Sequence, residues 1–185
     1  MSRKDIKLCG FGGQGIVLSG YILGKAASIF DKKEAVLTQS YGPEARGGAC
    51  SADVVISEKK IDYPYLKDIN VLVIMSQEAY LTYTNYLDKG RILIIDEDLV
   101  EIDNKQISRN KWKVYKIPAT RFAEELGKKI VANIVMLGFL TAVTKVVSYE
   151  AMKTAILSSV PKGTEKLNES AYEKGYEHGK QAVKA

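Results

Sequence analysis

Histidine occurs once in the 185 residues, at His178, and cysteine twice, at Cys9 and Cys50. These shortages exclude most of the common catalytic equipment. One histidine cannot make an H-E-x-x-H metal site, and its polar C-terminal setting offers no Ser-His-Asp arrangement. Two cysteines form no C-x-x-C and fall short of the thiolate set that holds an iron–sulfur cluster. Arginine is scarce as well: only Arg3, Arg46, Arg91, Arg109 and Arg121 stand among the 27 Lys and Arg. Because the lysines are scattered, the net charge of +5 reads as a solvated surface and not as a nucleic-acid stripe. The apolar uncharged run at residues 130–144 is shorter than the roughly 20 residues a bilayer span takes. The first residues carry no apolar core of the signal type. A cytoplasmic, reducing location is therefore expected, with both thiols in the core.

What is present is globular. Hydrophobic residues make up 46% and charged residues 26%, ordinary values for a folded chain. The length fits one domain, residues 1–185, able to bury one sizeable core. Apolar alternation predicts a strand over 4–9, then a glycine-rich turn, then a helix with small residues at Gly20, Gly24 and Ala27. Strands follow at 35–39 and 49–57. The nine-residue loop between them predicts an antiparallel pair, since a parallel crossover needs more chain. Continuous apolar runs predict buried strands at 70–75, 91–96 and 112–117. Ser76 reads as the cap of a helix reaching residue 87. Helices are expected over 119–127, 131–145, 149–158 and about 167–183, the last third covering one face or reaching a partner. Strands alternating with helices imply a three-layer α/β/α sandwich, Rossmann-like, with a mostly parallel, mixed sheet.

Two segments look built for a ligand. Gly10, Gly12 and Gly15 satisfy G-x-G-x-x-G between the first strand and first helix, with Phe11, Gly13 and Gln14 between them. Such a loop gives a tight turn, close backbone approach to a phosphate and free N–H donors at a helix start. A dinucleotide site also needs an acid at the end of the second strand. Glu34 stands at the start of that strand, and its end is Thr38-Gln39. The ribose test thus fails, which points to another phosphorylated ligand or to a docking loop. The second segment is Thr38-Gln39-Ser40-Tyr41-Gly42-Pro43-Glu44-Ala45-Arg46-Gly47-Gly48. Ligands of open α/β sheets sit at the C-terminal ends of strands, and Arg46 between small residues can meet a phosphate bidentately. The remaining candidates read as structural. Asp96-Glu97-Asp98 are expected as helix-entry charges, Asn133 as a satisfied buried amide, Tyr172 and Tyr176 as packing residues, and His178 as exposed.

The pattern GFGGQG at 10–15 followed by Ile16, together with TQSYGPEARGG at 38–48, resembles the gamma subunit of 2-oxoacid:ferredoxin oxidoreductases. The second block looks like the version in 2-oxoglutarate (2-ketoglutarate) enzymes. Tyr63-Pro64, Met75-Ser76-Gln77, NIVMLG at 133–138 and Asn168-x-x-Ala171-x-x-x-Gly175 continue the similarity over essentially the whole chain.

The resemblance implies a fold like domain III of pyruvate:ferredoxin oxidoreductase. It implies a complex that turns a 2-oxoacid, coenzyme A and oxidised ferredoxin or flavodoxin into acyl-CoA, CO2 and reduced carrier. Thiamine diphosphate and iron–sulfur clusters would sit in alpha, beta and delta partners. This chain would carry no catalytic residue and no metal. It would contribute coenzyme A contacts through Gly10, Gly12, Gly13, Gln14, Gly15, Ser40, Tyr41, Arg46 and Gly47, and would form a homodimer when isolated. The competing reading is a free-standing nucleotide-binding reductase using NAD(P)H.

Overall fold

In the computed structural model, which describes residues 3–41 and 49–184, period-two alternation along β1 (Lys4–Phe11) sends Ile6 and Leu8 to one face and Cys9 to the other. The strands β2 (Glu34–Tyr41), β3 (Ala49–Ser57), β4 (Val71–Ile74), β5 (Ile92–Asp96) and β6 (Lys113–Ile117) join it in one sheet of order β2-β3-β1-β4-β5-β6. β1, β4, β5 and β6 run parallel to one another. β3 is antiparallel to both β1 and β2. The sheet is therefore mixed, and the expected antiparallel pair is present. β3 lies between β2 and β1, so β2 is the edge strand.

The first face is the larger. It carries α1 (Ile16–Lys25), extended by a π-helical turn at Ala26–Phe30, with α4 (Ala119–Glu125), α5 (Ala132–Thr144), α6 (Tyr149–Leu157) and α7 (Glu165–Lys184). The second face carries α2 (Gln77–Tyr83) and α3 (Asn104–Asn110), packed over Cys9, Leu72, Ile74, Leu93 and Ile95. The α/β/α sandwich is thus as expected. Ser76 does cap α2, its hydroxyl accepting from Ala79 N at 3.2 Å. α3 was not expected from the sequence. It buries none of its residues fully and is held by the Asp103 cap on Lys105 N.

α5 organises the first face. Every residue from Ala132 to Ala142 is buried, so the helix is apolar all round and must be enclosed on every side. Its large side chains, Ile134, Val135, Met136, Leu137, Phe139 and Leu140, each contribute about 1.5–3 kcal/mol of burial. α7 closes the outer side. A Cβ at Gly175 would lie 1.9 Å from the Val135 carbonyl oxygen, and one at Gly138 would lie 2.2 Å from the Tyr172 carbonyl oxygen. The two backbones therefore touch at positions where only glycine fits. His178 rides on α7 with its ring between Phe122 and Phe139, at centroid distances of 5.3 and 5.7 Å. It is half-buried, not exposed as its polar neighbours suggested. Tyr172 is fully buried and donates to the Tyr149 carbonyl at 3.0 Å. Among the described residues, no helix is long and apolar enough to cross a membrane.

The glycines give a paired test. Gly175→Ala should cost about 1–3 kcal/mol or more, because a backbone carbonyl cannot turn aside as a side chain does. Gly24→Ala, whose Cβ meets nothing within 4 Å, should gain up to about 1 kcal/mol of helix propensity. Urea midpoints read both, and an undiminished midpoint for Gly175→Ala would refute the close α5–α7 contact.

Candidate functional site

The C-terminal ends of β1, β2 and β4 meet at one edge of the sheet. Tyr41 of β2 pairs with Cys50, and Cys50 pairs with Gly10 of β1. The glycine loop and the 42–48 loop thus leave the same edge one strand apart. Gly10 and Phe11 belong to β1, and the turn proper is Gly12–Gly15. Gly13 and Gly15 hold φ of 97° and 72°, conformations that favour glycine.

The loop is braced from within. The Gln14 carboxamide accepts from Phe11 N at 2.6 Å and donates to the Met75 carbonyl at 2.8 Å. It ties the turn both to β1 and to the end of β4. The Gly15 carbonyl receives Ser19 N and Ser19 Oγ, each at 2.9 Å, and Asn133 Nδ2 at 3.3 Å. A Cβ at Gly15 would lie 2.4 Å from Asn133 Nδ2. Asn133 is thus the buried, satisfied amide expected, and it fixes the loop to the start of α5. Gly10 is buried, and a Cβ there would strike Gln14 Oε1. Gly10 and Gln14 therefore shape the loop from inside, while Gly12 and Gly13 are exposed.

Beside the loop lies a cavity of about 330 Å³, lined among others by Gly13, Gly15, Leu18, Ile130, Asn133 and Asn168. α1, α5 and α7 all begin at its walls, at Gly15, Val131 and Thr164. Helix starts present free N–H groups and a partial positive charge. Ile130 is 74% exposed at the rim. The edge therefore joins an anion-suited turn to an apolar mouth.

The other sequence candidates fall into place around it. Ser40 is exposed near the end of β2 and pairs with Ser51. Tyr41 closes that strand. Arg46 and Gly47 lie outside the described residues. Glu34 begins β2 opposite Ser57, at the far end of the strand from the glycine loop, so among the described residues no acid stands where a ribose would need one. Asp96 is fully buried and accepts from Thr120 N, Thr120 Oγ1 and Asp98 N. Burial pushes its carboxyl up despite those hydrogen bonds. Glu97 and Asp98 pair with Arg121, so the trio serves the entry to α4.

Cys9 and Cys50 occupy adjacent strands but point to opposite faces, one into each core. Both are free and buried. Burial pushes both thiols up, so neither presents a thiolate at neutral pH. Among the described residues, no cluster of His, Cys, Asp or Glu is arranged to hold a metal ion.

These features define a class: a Rossmann-like α/β domain with a braced glycine turn. More narrowly, the chain belongs to the pyruvate ferredoxin/flavodoxin oxidoreductase family, whose match spans residues 5–178. It is 54% identical over 180 residues to the 2-oxoglutarate synthase subunit KorC of Methanocaldococcus jannaschii, covering 97% of this chain and 95% of that one. The keto/oxoacid ferredoxin oxidoreductase gamma subunit of Geobacter sulfurreducens superposes with a TM-score of 0.88 at 38% identity, over 98% of this chain and 99% of that one. The 2-oxoglutarate:ferredoxin oxidoreductase of Magnetococcus marinus, solved with 2-oxoglutarate, coenzyme A and succinyl-CoA bound, shares the fold with a TM-score of 0.88 at 22% identity. It aligns with all of this chain but 32% of its own. The gamma-type resemblance read from the motifs is borne out.

The brace can be tested directly. Gln14→Ala removes two hydrogen bonds, a loss of about 1–3 kcal/mol. Amide exchange at Phe11 should accelerate with it. Unchanged protection at that amide would show that the carboxamide does not hold the turn.

Proposed function

We propose that this chain is the gamma-type subunit of a 2-oxoglutarate:ferredoxin oxidoreductase complex. The complex would convert 2-oxoglutarate, coenzyme A and oxidised carrier to succinyl-CoA, CO2 and reduced carrier. One observation carries the reading: end-to-end similarity at 54% identity to a 2-oxoglutarate synthase subunit. The chemistry of the chain agrees with it. Its two thiols are protonated and face apart, so cluster and thiamine diphosphate chemistry falls to alpha, beta and delta partners.

The role of this chain is to bind and assemble. The turn from Gly12 to Ile16, with Ser40, Tyr41, Arg46 and Gly47, meets the phosphates of coenzyme A. Gly10 and Gln14 position that turn. The apolar rim at Leu18 and Ile130, 38% and 74% exposed, faces a partner subunit. The reductase alternative loses support from Glu34, which lies at the wrong end of β2 for a nicotinamide dinucleotide.

Affinity purification of the tagged chain from native cells tests the reading. Thiamine- and cluster-bearing subunits should co-purify, and the assembly should reduce ferredoxin with 2-oxoglutarate and coenzyme A together. A chain that purifies alone and binds NAD(P)H would overturn it. Within an intact complex, Arg46→Ala removes a charge-assisted contact of about 1.5–3 kcal/mol. The KM for coenzyme A should then rise about ten- to a hundredfold. An unchanged KM would remove Arg46 from the phosphate contact, and a lost subunit on size exclusion would make it an assembly residue.

A further inference from the structure

The opposite edge of the sheet, where β1, β4, β5 and β6 begin, holds a second concavity of about 200 Å³. Its walls include Lys4, Asn70, Arg91, Lys113 and Thr144. Three of these are cations, and no carboxylate lines the cavity. Among the described residues, none of the three has a hydrogen-bond or ion-pair partner for its side chain. Arg91 Nε is buried and has no hydrogen-bond partner. That is a costly state for a guanidinium donor. Asn70 adds a further donor: its Oδ1 accepts from Asp5 N at 2.8 Å, which leaves Nδ2 for the cavity.

The neighbouring acids are engaged elsewhere. The carboxylate of Asp5 is held by Arg3 at 2.7 Å and by the Lys67 amide at 2.6 Å. The C-terminal end of α5 borders the cavity at Thr144 and brings a partial charge of about −0.5. Three full cations exceed that, and the nearby Val146 carbonyl already receives Lys33 Nζ at 2.9 Å. Lys4 and Arg91 are half-buried and Lys113 is exposed at the rim; an anion in the cavity supplies the partner that the buried Arg91 Nε lacks.

We propose that this cavity is a binding site for a phosphate-type dianion, held by Arg91, Lys113 and Lys4, with the Asn70 amide as an uncharged donor. The Arg91 fork suits the tetrahedral oxygens of a phosphoryl group. The volume admits a phosphate or a small phosphate ester and excludes a whole nucleotide cofactor. The site lies at the other edge of the sheet from the glycine loop and stands whether or not the chain meets coenzyme A.

Calorimetric titration of the full chain with inorganic phosphate, at constant ionic strength against chloride, tests it. One saturable site with a Kd of about 1 mM or tighter is expected. Phosphate should also raise the melting temperature. The double substitution Arg91→Gln with Lys113→Gln should weaken binding at least tenfold. It should leave the ligand-free protein as stable as before or more so, because the buried Nε without a partner is removed. Arg109→Gln, outside the cavity, should bind as the wild type does. A parallel titration with glycerol 3-phosphate identifies the source: tighter binding assigns a phosphate ester, weaker binding free phosphate. No saturable binding, or equal binding by the double variant, overturns the proposal. Loss of subunit assembly in the double variant without any phosphate binding also overturns it, and gives the cations to a partner's carboxylates.

Discussion

The backbone contact between α5 and α7 is the constraint on which the rest of the structure depends. α5 has no polar face, so it can exist only if something covers the side turned away from the sheet. α7 does so at glycine distance, through Gly138, Gly175 and Gly179. Once enclosed, α5 has one fixed position, and its first turn sets Asn133 against the Gly15 carbonyl. The glycine turn is thereby tied to the core by a helix more than a hundred residues away in sequence. The aromatic group of Tyr149, Tyr172 and Tyr176 packs α6 against α7. There Tyr149 donates to Glu173, and its hydroxyl is pushed up to about 12, mainly by burial.

The groups most often recruited for catalysis are engaged in structure. The thiols are buried on opposite faces, His178 lies between two phenyl rings, and Asp96 is tied to Thr120. What faces outward instead is a braced turn with an apolar mouth at one sheet edge and a group of cations at the other. That division suits the proposed role, in which neighbouring subunits carry the reactive groups.

Much of this was legible in the sequence because the signals are local. Alternation along β1 and β3, the apolar runs of β4 and β5, and the Ser76 cap each follow from neighbouring residues. So did the antiparallel β2–β3 pair, from the length of its loop. α3 was missed because NKQISRN buries no residue fully and leaves no apolar period, although Asp103 is a cap signal. The setting of His178 was misread because Phe122 and Phe139 come from distant segments. Insertion of β3 between β1 and β2 is likewise a long-range outcome. In the glycine turn the spacing was visible, but the use of the Gln14 amide as a brace between β1 and β4 was not. The cation cavity joins residues from three strand starts and the β3–β4 connection, which no linear motif records.

The most direct test of the account is the structure of the native complex with coenzyme A bound. The account expects backbone amides of Gly12–Ile16 and the Arg46 guanidinium within hydrogen-bonding distance of the coenzyme A phosphates, with the Leu18–Ile130 rim against a partner subunit. A complex in which no atom of this chain lies near coenzyme A would contradict it.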